Sequence, residues 1–306
     1  MKRLIITHGD VDGILSAAIA IRRLGESELK FSGPGSIDKA LSKVRGVDEL
    51  LILDIGLNKS KLEGVEAELR RLIGSGCRVY WCDHHRWDDE SSSRLSELIE
   101  LRLKPSQSNA RLVLEWLGGG DFERRLVEIA DDADTGKYAL EISRIYNAIS
   151  TSKKMKVKLI GKLVEGYLID EGLEDFGRKK LLSIESQVEE ALKRVRIEET
   201  HEGRRFCVID IRAGGPGSLI ARKASEDLGA DFCFVFNCKR FSLYAGRMKE
   251  VDLRVICESY GGGGHPYACG GRIKLSFLKR LVCRLLWRFY LPGEIKGVIE
   301  HIKSSL

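Results

Sequence analysis

The sequence predicts an α/β protein of two domains, a parallel-sheet domain joined by helices to a smaller α/β domain. Three observations predict this. The 306 residues exceed the length of one average domain. Strand-like and helix-like segments alternate through the first half, as right-handed β-α-β crossovers require. A new strand–helix–strand pattern begins at Phe206, after a charged helical stretch at 137–199. We place the domains at 1–187 and 188–306.

Composition restricts the class of protein. Apolar residues make up 43% and charged residues 31%, an ordinary globular balance, and the net charge is +6. That mild basicity is compatible with a phosphate-bearing partner. The first strand starts directly after Met1-Lys2-Arg3 and no stretch approaches the roughly 20 apolar residues of a membrane span, so a cytoplasmic protein without membrane contact is expected. The eight cysteines contain no C-x-x-C pair, which favours buried, reduced thiols over structural zinc.

The first element is a short apolar strand at 4–6, followed by a loop at 7–13 and an apolar-periodic helix at 14–24. Side chains at alternate positions of an extended loop point the same way, so His8, Asp10 and Asp12 can converge. Taken alone, the loop is explained equally well as an Asp-Gly turn with an incidental histidine.

Two further strands end in similar residues. The strand predicted at 49–55 carries Asp54, and the strand at 78–82 runs into Asp83-His84-His85. Each acid alone would be read as a turn former or helix cap. The carboxyl ends of neighbouring parallel strands lie at one edge of a sheet, however, so three such coincidences predict one shared cleft.

Two helices complete the first domain's cluster of acids. A helix at 110–117 is entered through a serine cap, and a helix at 122–130 runs into Asp131, Asp132 and Asp134. With Asp134 the cleft would hold five aspartates and two or three histidines. So many carboxylates repel one another unless cations neutralise them, and one ion cannot use them all. The cluster therefore predicts two metal ions.

The second domain is predicted from strands at 207–211, 232–236, 241–245 and 272–275 and a helix at 219–228. The glycine run 261–264 lets a phosphate approach the backbone, whose N–H groups can bind an anion. A flexible linker is the alternative, but the following His-Pro-Tyr disfavours it. The glycine loop before Ser218 is either a turn with a serine cap or an anion-binding loop.

Two basic segments carry less information. A solvated helix face is favoured for 153–158 over a nucleic-acid contact. The segment 277–290 predicts a basic amphipathic helix, for which packing on its own domain is favoured over binding DNA, a membrane or a partner protein.

Four motifs of the first domain resemble, in order and spacing, those of the DHH phosphoesterases: His8-Gly9-Asp10-Val11-Asp12-Gly13, Leu53-Asp54-Ile55-Gly56, Asp83-His84-His85 and Asp134-Thr135-Gly136. The segment 261–271 resembles the GGGH-x-x-A-A-G hallmark of that family's associated C-terminal domain, with Cys269 at the second alanine. The resemblance covers nearly the whole chain and implies an active site in the cleft between the two domains.

The resemblance implies two manganese ions per chain, with magnesium as the alternative, held by three groups of side chains: His8 and Asp10 on one ion, Asp12, His84 and Asp134 on the other, and Asp54 bridging both. Asp131 and Asp132 compete for the role of Asp134. His85 would contact the reacting phosphate or the leaving oxygen, and Asp83 would orient the loop or a histidine.

In the second domain the resemblance assigns a substrate phosphate to Arg247, with Lys249 as a weaker neighbour. The remaining substrate contacts would come from the glycine run and the residue after it: Gly262, Gly263, Gly264 and His265.

The resemblance implies a metal-dependent phosphodiesterase. The first hypothesis is an exonuclease that releases mononucleotides from single-stranded DNA or short RNA. The alternatives are a nano-RNase with 3′-phosphoadenosine-phosphate phosphatase activity and a cyclic dinucleotide phosphodiesterase. A catalytically inactive nucleic-acid or replication-complex binding module is disfavoured because all the metal positions are present. DNA-repair or replication proteins are the expected protein partners. The sequence does not decide strand polarity, DNA against RNA, or whether the chain is a homo-oligomer.

Overall fold

The computed structural model describes residues 1–247 and 252–306, and at His265 it describes the backbone alone. The chain forms two compact units, Met1–Leu181 and Leu182–Leu306. The predicted α/β class is confirmed, since each unit has a sheet with helices packed against it. In the part of the chain that the structure describes, no helix is long and apolar enough to span a bilayer.

The sheet of the first unit is entirely parallel, in the order β2-β1-β3-β4-β5. Its strands are β1 (Arg3–Thr7), β2 (Glu28–Phe31), β3 (Glu49–Leu53), β4 (Arg78–Asp83) and β5 (Glu100–Leu103). The chain moves from β1 to one neighbour, β2, and then crosses back to the other, β3. Ligands of such sheets bind at this reversal, outside the carboxyl ends of the strands.

Helices cover both faces of this sheet. They are α1 (Val11–Leu24), α2 (Ile37–Leu41), α3 (Leu62–Gly74), α4 (Asp89–Ser96), α5 (Asn109–Leu117), α6 (Asp121–Asp134), α7 (Glu141–Ser150), α8 (Lys153–Val164) and α9 (Glu171–Leu192), the last of which continues into the second unit. Successive side chains of β1 supply the two cores, Ile5 on the α1 side and Leu4 and Ile6 on the α3 side. Nearly continuous apolar strands are what burial on both faces demands.

The sheet of the second unit is mixed, in the order β10-β11-β9-β8-β7-β6. Its strands are β6 (Arg196–Glu199), β7 (Arg205–Asp210), β8 (Phe232–Phe236), β9 (Arg240–Ala245), β10 (Gly263–His265) and β11 (Ala268–Arg272). Among the described strands of this sheet, only β7 and β8 pair in parallel. The unit's helices are α10 (Gly217–Leu228), α11 (Arg254–Ser259), α12 (Phe277–Leu285) and α13 (Gly293–Ser305).

Several expectations for the second unit are wrong. The strand predicted at 272–275 instead begins at Ala268 and ends at Arg272, since β11 pairs with β9 over those residues. Helix α10 begins at Gly217 with no side-chain cap, so Ser218 is not an N-cap. Cys257 and Cys269 form a disulfide, which corrects the expectation of reduced thiols for this pair. The other six cysteines are free and buried, as expected.

The basic segment 277–290 packs on its own unit less completely than expected. Helix α12 buries Cys283, but Phe277 remains 82% exposed and Phe289, beyond its end, 89% exposed. Apolar side chains therefore lie on both sides of this helix, and the solvent side has no covering element within the described residues.

Candidate metal centre

The site lies at the reversal of the first sheet. His8 follows β1, Asp54 follows β3 and His84 follows β4, and these three strands are adjacent. The two carboxylate oxygens of Asp54 face different partners. Its Oδ2 lies 3.8 Å from His8 Nδ1, and its Oδ1 lies 3.6 Å from His84 Nε2.

The remaining acids complete two groups around Asp54. His8 Nδ1 lies 2.7 Å from Asp10 Oδ2. His84 Nε2 lies 3.7 Å from Asp12 Oδ2 and 3.6 Å from Asp134 Oδ2. The structure thus brings the six sequence-predicted metal residues together. Sets of side-chain ligand atoms within 4.8 Å of one another are His8/Asp10/Asp54, Asp12/His84/Asp134 and Asp54/His84/His85.

The turn from β1 into α1 holds its acids by tight backbone packing. Asp10 caps α1 by accepting from Gly13 N at 3.1 Å, and Thr7 Oγ1 donates to Gly13 O at 2.7 Å. A Cβ at Gly13 would lie 2.5 Å from His8 O, which no side chain can tolerate. Glycine is therefore required at position 13 for the loop conformation that places the side chains of His8 and Asp10 next to each other.

Asp54 has an unusual backbone as well as a buried side chain. Its φ of +56° is one of two positive values among the described non-glycine residues. Left-handed backbone at a side-chain-bearing residue is unfavourable, and it persists where surrounding structure imposes it, often at functional sites. The side chain is 2% exposed. The turn after β3 thus directs a carboxylate inward between the two groups.

The acids of the site are buried close together, and this shifts their pKa values. Burial raises the pKa of Asp54 well above its ordinary value, and the charges of Asp12 and Asp10 raise it further. Burial likewise raises the pKa values of Asp12 and Asp134. Burial also acts to raise the pKa of Asp10, but the hydrogen bond and charge of His8 outweigh it, and the net shift is downward. The unbound site therefore disfavours its own full ionisation.

Two buried atoms of the site have no hydrogen-bond partner, namely Asp54 Oδ2 and His84 Nε2. Buried polar atoms are nearly always paired, so orphans of this kind point to a bound ion or a functional role. Imidazole nitrogen and carboxylate oxygen are the donors that manganese and similar divalent ions accept. The residues present fit a metal centre.

His85 is held by an acid behind it. Its Nδ1 lies 2.8 Å from Asp83 Oδ1, and Trp87 Nε1 donates to Asp83 Oδ2 at 2.7 Å. Asp83 is fully buried, whereas the His85 side chain is 49% exposed. The hydrogen bond to Asp83 raises the pKa of His85. Asp83 thus contacts both His85 and Trp87 in the loop that follows β4.

Asp131 and Asp132 have partners elsewhere. Asp131 accepts from Ser108 Oγ at 2.7 Å, and Asp132 accepts from the backbone N of Leu140 at 2.9 Å. Asp134 alone of the three acids lies within reach of His84.

Two contributors to the site were not recognised in the sequence. The backbone N of Asn109 and of Ala110, at the start of α5, donate to Asp12 at 2.6 and 2.8 Å. Lys156 Nζ donates to Gly9 O at 2.7 Å, so this lysine is not on the solvated face expected for 153–158. The serine cap at Ser108 was a signal for the first contact, since a capped helix start can also bind an anion.

The residues predicted to bind substrate lie in the second unit. Arg247 borders a cleft of about 450 Å³ that Arg222 and Tyr244 also line. The glycine run is no linker, because residues 263–265 form β10. A Cβ at Gly262 would lie 1.8 Å from Gly270 O, so close backbone packing requires that glycine. Lys249 and the side chain of His265 lie outside the described residues.

Comparisons with known proteins identify the fold. No protein-family model and no curated protein matches the sequence. Among solved structures, a DHH domain described as a member of a family of ribosomal proteins aligns with TM-score 0.67 and 16% identity, over 95% of this chain and 87% of that one. Exonuclease RecJ bound to manganese aligns with TM-score 0.62 and 15% identity, over 98% and 93%. The pGpG-specific phosphodiesterase PggH from Vibrio cholerae aligns with TM-score 0.58 and 14% identity, over 94% and 98%. This chain has the DHH-type two-domain fold.

Proposed function

We propose that this chain is a DHH phosphoesterase that hydrolyses phosphodiester bonds with two manganese ions. The observation that carries the proposal is the position of Asp54, buried between two sets of ligand-type side chains, with an unpartnered oxygen. His8 and Asp10 would hold one ion, Asp12, His84 and Asp134 the other, and Asp54 would bridge them. Magnesium is the alternative ion.

When bound, a pair of divalent ions lowers the pKa of water toward neutrality and neutralises charge on the phosphoryl oxygens. The chain's own residues place these groups. The helix α5 N-terminus fixes Asp12 through two backbone hydrogen bonds. Asp83 fixes the ring of His85, whose free edge would donate a hydrogen bond to a phosphoryl or leaving oxygen. Lys156 holds the carbonyl of Gly9 and so the loop that carries Asp10.

Substrate phosphates away from the reacting bond would bind in the second unit. Arg247 is the proposed phosphate ligand, supported by a second guanidinium, that of Arg222, on the same cleft. Backbone N–H groups of Gly262, Gly263 and Gly264, with His265, are the proposed remaining contacts. At Gly263 there is open space where a Cβ would be, so a phosphate can approach that backbone.

We favour an exonuclease that releases mononucleotides from single-stranded DNA or short RNA. The RecJ likeness supports this choice, and so does the net charge of +6, because phosphate chains bind basic proteins. The second candidate is hydrolysis of a dinucleotide, which the likeness to a pGpG-specific phosphodiesterase favours.

End-labelled single-stranded DNA, short RNA, a linear dinucleotide and 3′-phosphoadenosine phosphate, each incubated with Mn²⁺, separate these activities. We expect mononucleotides from the DNA or RNA and none from the Asp54→Asn variant. Hydrolysis of the dinucleotide with intact polymers would select the second candidate. Intact substrates throughout, with Mn²⁺ bound, would reject both.

A further inference from the structure

A second cleft lies within residues 190–291, all in the second unit. It has a volume of about 500 Å³ and opens at the carboxyl ends of β7 and β8, where Asp210 and Phe236 end their strands. None of the metal-centre residues lines it. Carboxyl ends of adjacent parallel strands are the usual place for a ligand in an α/β sheet, so the location itself suggests binding.

The walls of this cleft carry an excess of cations. Arg212 is 4% exposed and donates to Asp210 at 2.7 Å and to Trp287 O at 2.6 Å. These internal hydrogen bonds already satisfy its guanidinium, so we do not count it as a ligand for an anion. Glu190 pairs with Lys193 at 2.6 Å. Arg196 and Arg288 have no acidic side chain within 4.0 Å among the described residues. Two exposed guanidinium groups are therefore left to bind an anion.

The ring of Trp287 lies beside two guanidiniums of this cleft. Arg194 and Arg288 lie over the ring of Trp287, at 5.0 and 5.2 Å from its centroid. Phe289 follows directly and is 89% exposed, so its ring is accessible to a ligand. An exposed ring is unfavourable in water, and here it directly follows Arg288 in the chain and lines the same cleft as Arg196.

We propose that this cleft, lined by Arg196, Arg288 and Phe289, is a second binding site for a nucleotide unit. The base would stack on Phe289, and the phosphate would bind Arg196 and Arg288. A planar base attached to a phosphate is the ligand that this pairing of rings and guanidiniums recognises, and stacking tolerates any base. The source is either a free mononucleotide or one unit of a single strand.

Binding to the full-length chain in EDTA tests the site without hydrolysis, so failure here is separate from failure of the proposed enzyme activity. The probe is a fluorescent 12-nucleotide single strand, followed by anisotropy. We expect Phe289→Ala to weaken binding about tenfold. We expect Arg196→Ala with Arg288→Ala to reduce the slope of log affinity against log salt by about 1.4, since each phosphate contact on a single strand contributes about 0.7.

Matched controls are available on the same segment. Phe277 and Arg284 are also exposed on α12 but do not line the cleft. Phe277→Ala and Arg284→Ala should leave binding unchanged, and melting curves should show that all variants fold. Equal losses in the controls, or no loss with Phe289→Ala, would overturn the proposal.

A strand carrying 5-iodouracil provides a site-resolved measurement. Irradiation should cross-link it to the peptide that contains Phe289 and Trp287, and cross-links confined to other peptides would contradict the assignment. Competition by millimolar AMP would identify a free nucleotide as a sufficient ligand. Competition only by an unlabelled oligonucleotide would identify a strand, and either result is consistent with the site.

Discussion

Asp54 and Asp210 occupy corresponding places in the two units, at the carboxyl ends of buried parallel strands. In the second unit Arg212 lies beside Asp210 and donates to both of its carboxylate oxygens. In the first unit the neighbours of Asp54 are other acids and two histidines. The same strand-end acid is thus neutralised by the chain in one unit and left without a permanent cation in the other.

This difference explains what each unit can do. An Asp–Arg pair that is already satisfied holds a loop, here through Arg212 and the carbonyl oxygens of Trp287 and Tyr290. An acid whose charge is not neutralised must take up a cation from solution or shift its pKa. A cation that can leave and return can also bind substrate, so the incomplete site is the one suited to chemistry.

The largest effect should come from Asp54→Asn. We expect loss of about a thousandfold or more in phosphodiester hydrolysis, equivalent to about 4 kcal/mol, because the carboxylate charge that we propose bridges the two ions is removed. Asn tolerates the left-handed backbone at this position, so the fold should persist. The measurement is initial rate with Mn²⁺, with Asp38→Asn, an acid paired to Lys61 outside the site, as control. Activity within tenfold of the parent chain would contradict the central role of Asp54.

Asp210→Asn should instead lower stability. It leaves the Arg212 guanidinium, 4% exposed, without its counter-charge, and breaking a buried pair costs about 3–5 kcal/mol. Thermal and denaturant unfolding would measure the loss.

The matched control is Asp252→Asn. Asp252 and Arg254 have the same D-x-R spacing and the same two-pronged contact, but both side chains are about 40% exposed. This variant should have the same melting temperature and the same denaturant midpoint as the parent chain, because solvent screens the charges of exposed pairs. Equal destabilisation of both variants would show that burial of Arg212 is not what makes its partner necessary.

Only the features that depend on neighbouring residues in the chain could be predicted from the sequence. Continuous apolar runs predicted β3 and β7, and Asp54 was placed correctly at a strand end. Asp210 was predicted inside a strand at 207–211, whereas β7 ends at that residue. The short strands β2 and β5 were missed because they lie at sheet edges and alternate charged with apolar residues. Only pairing with β1 and β4 makes them strands, and no window of sequence contains that information.

Contacts between distant segments explain the other omissions. Asn109 donates to Asp12 across 97 positions, and Lys156 reaches Gly9 across 147. Helix α13 is different, since its buried residues Ile295, Ile299 and Ile302 have plain helical spacing. That pattern was present in the sequence and could have been recognised.

Adding metal should stabilise the first unit. It should not change the stability that the Asp210–Arg212 pair contributes to the second unit. Each Mn²⁺ at a hundred times its dissociation constant adds about 2.7 kcal/mol if it binds only the folded chain. We expect an increase in melting temperature with Mn²⁺ over EDTA in the parent chain and in Asp210→Asn. The increase should be largely lost in Asp54→Asn. An equal increase in all three would place the stabilising ions elsewhere.

The smallest expected effect is a change of stability opposite in sign to that of Asp210→Asn. In EDTA, Asp54→Asn should be more stable than the parent chain, because asparagine carries no charge for neighbouring acids to repel or for burial to penalise. Asp54 is crowded by Asp10 and Asp12, and burial disfavours its charge. Asp210→Asn is destabilised in the same buffer, so the two variants should move in opposite directions. Unfolding both in EDTA at pH 7 checks this directly. If Asp54→Asn is destabilised as well, then Asp54 already has a favourable partner in the metal-free chain, and the contrast between the two strand-end acids does not hold.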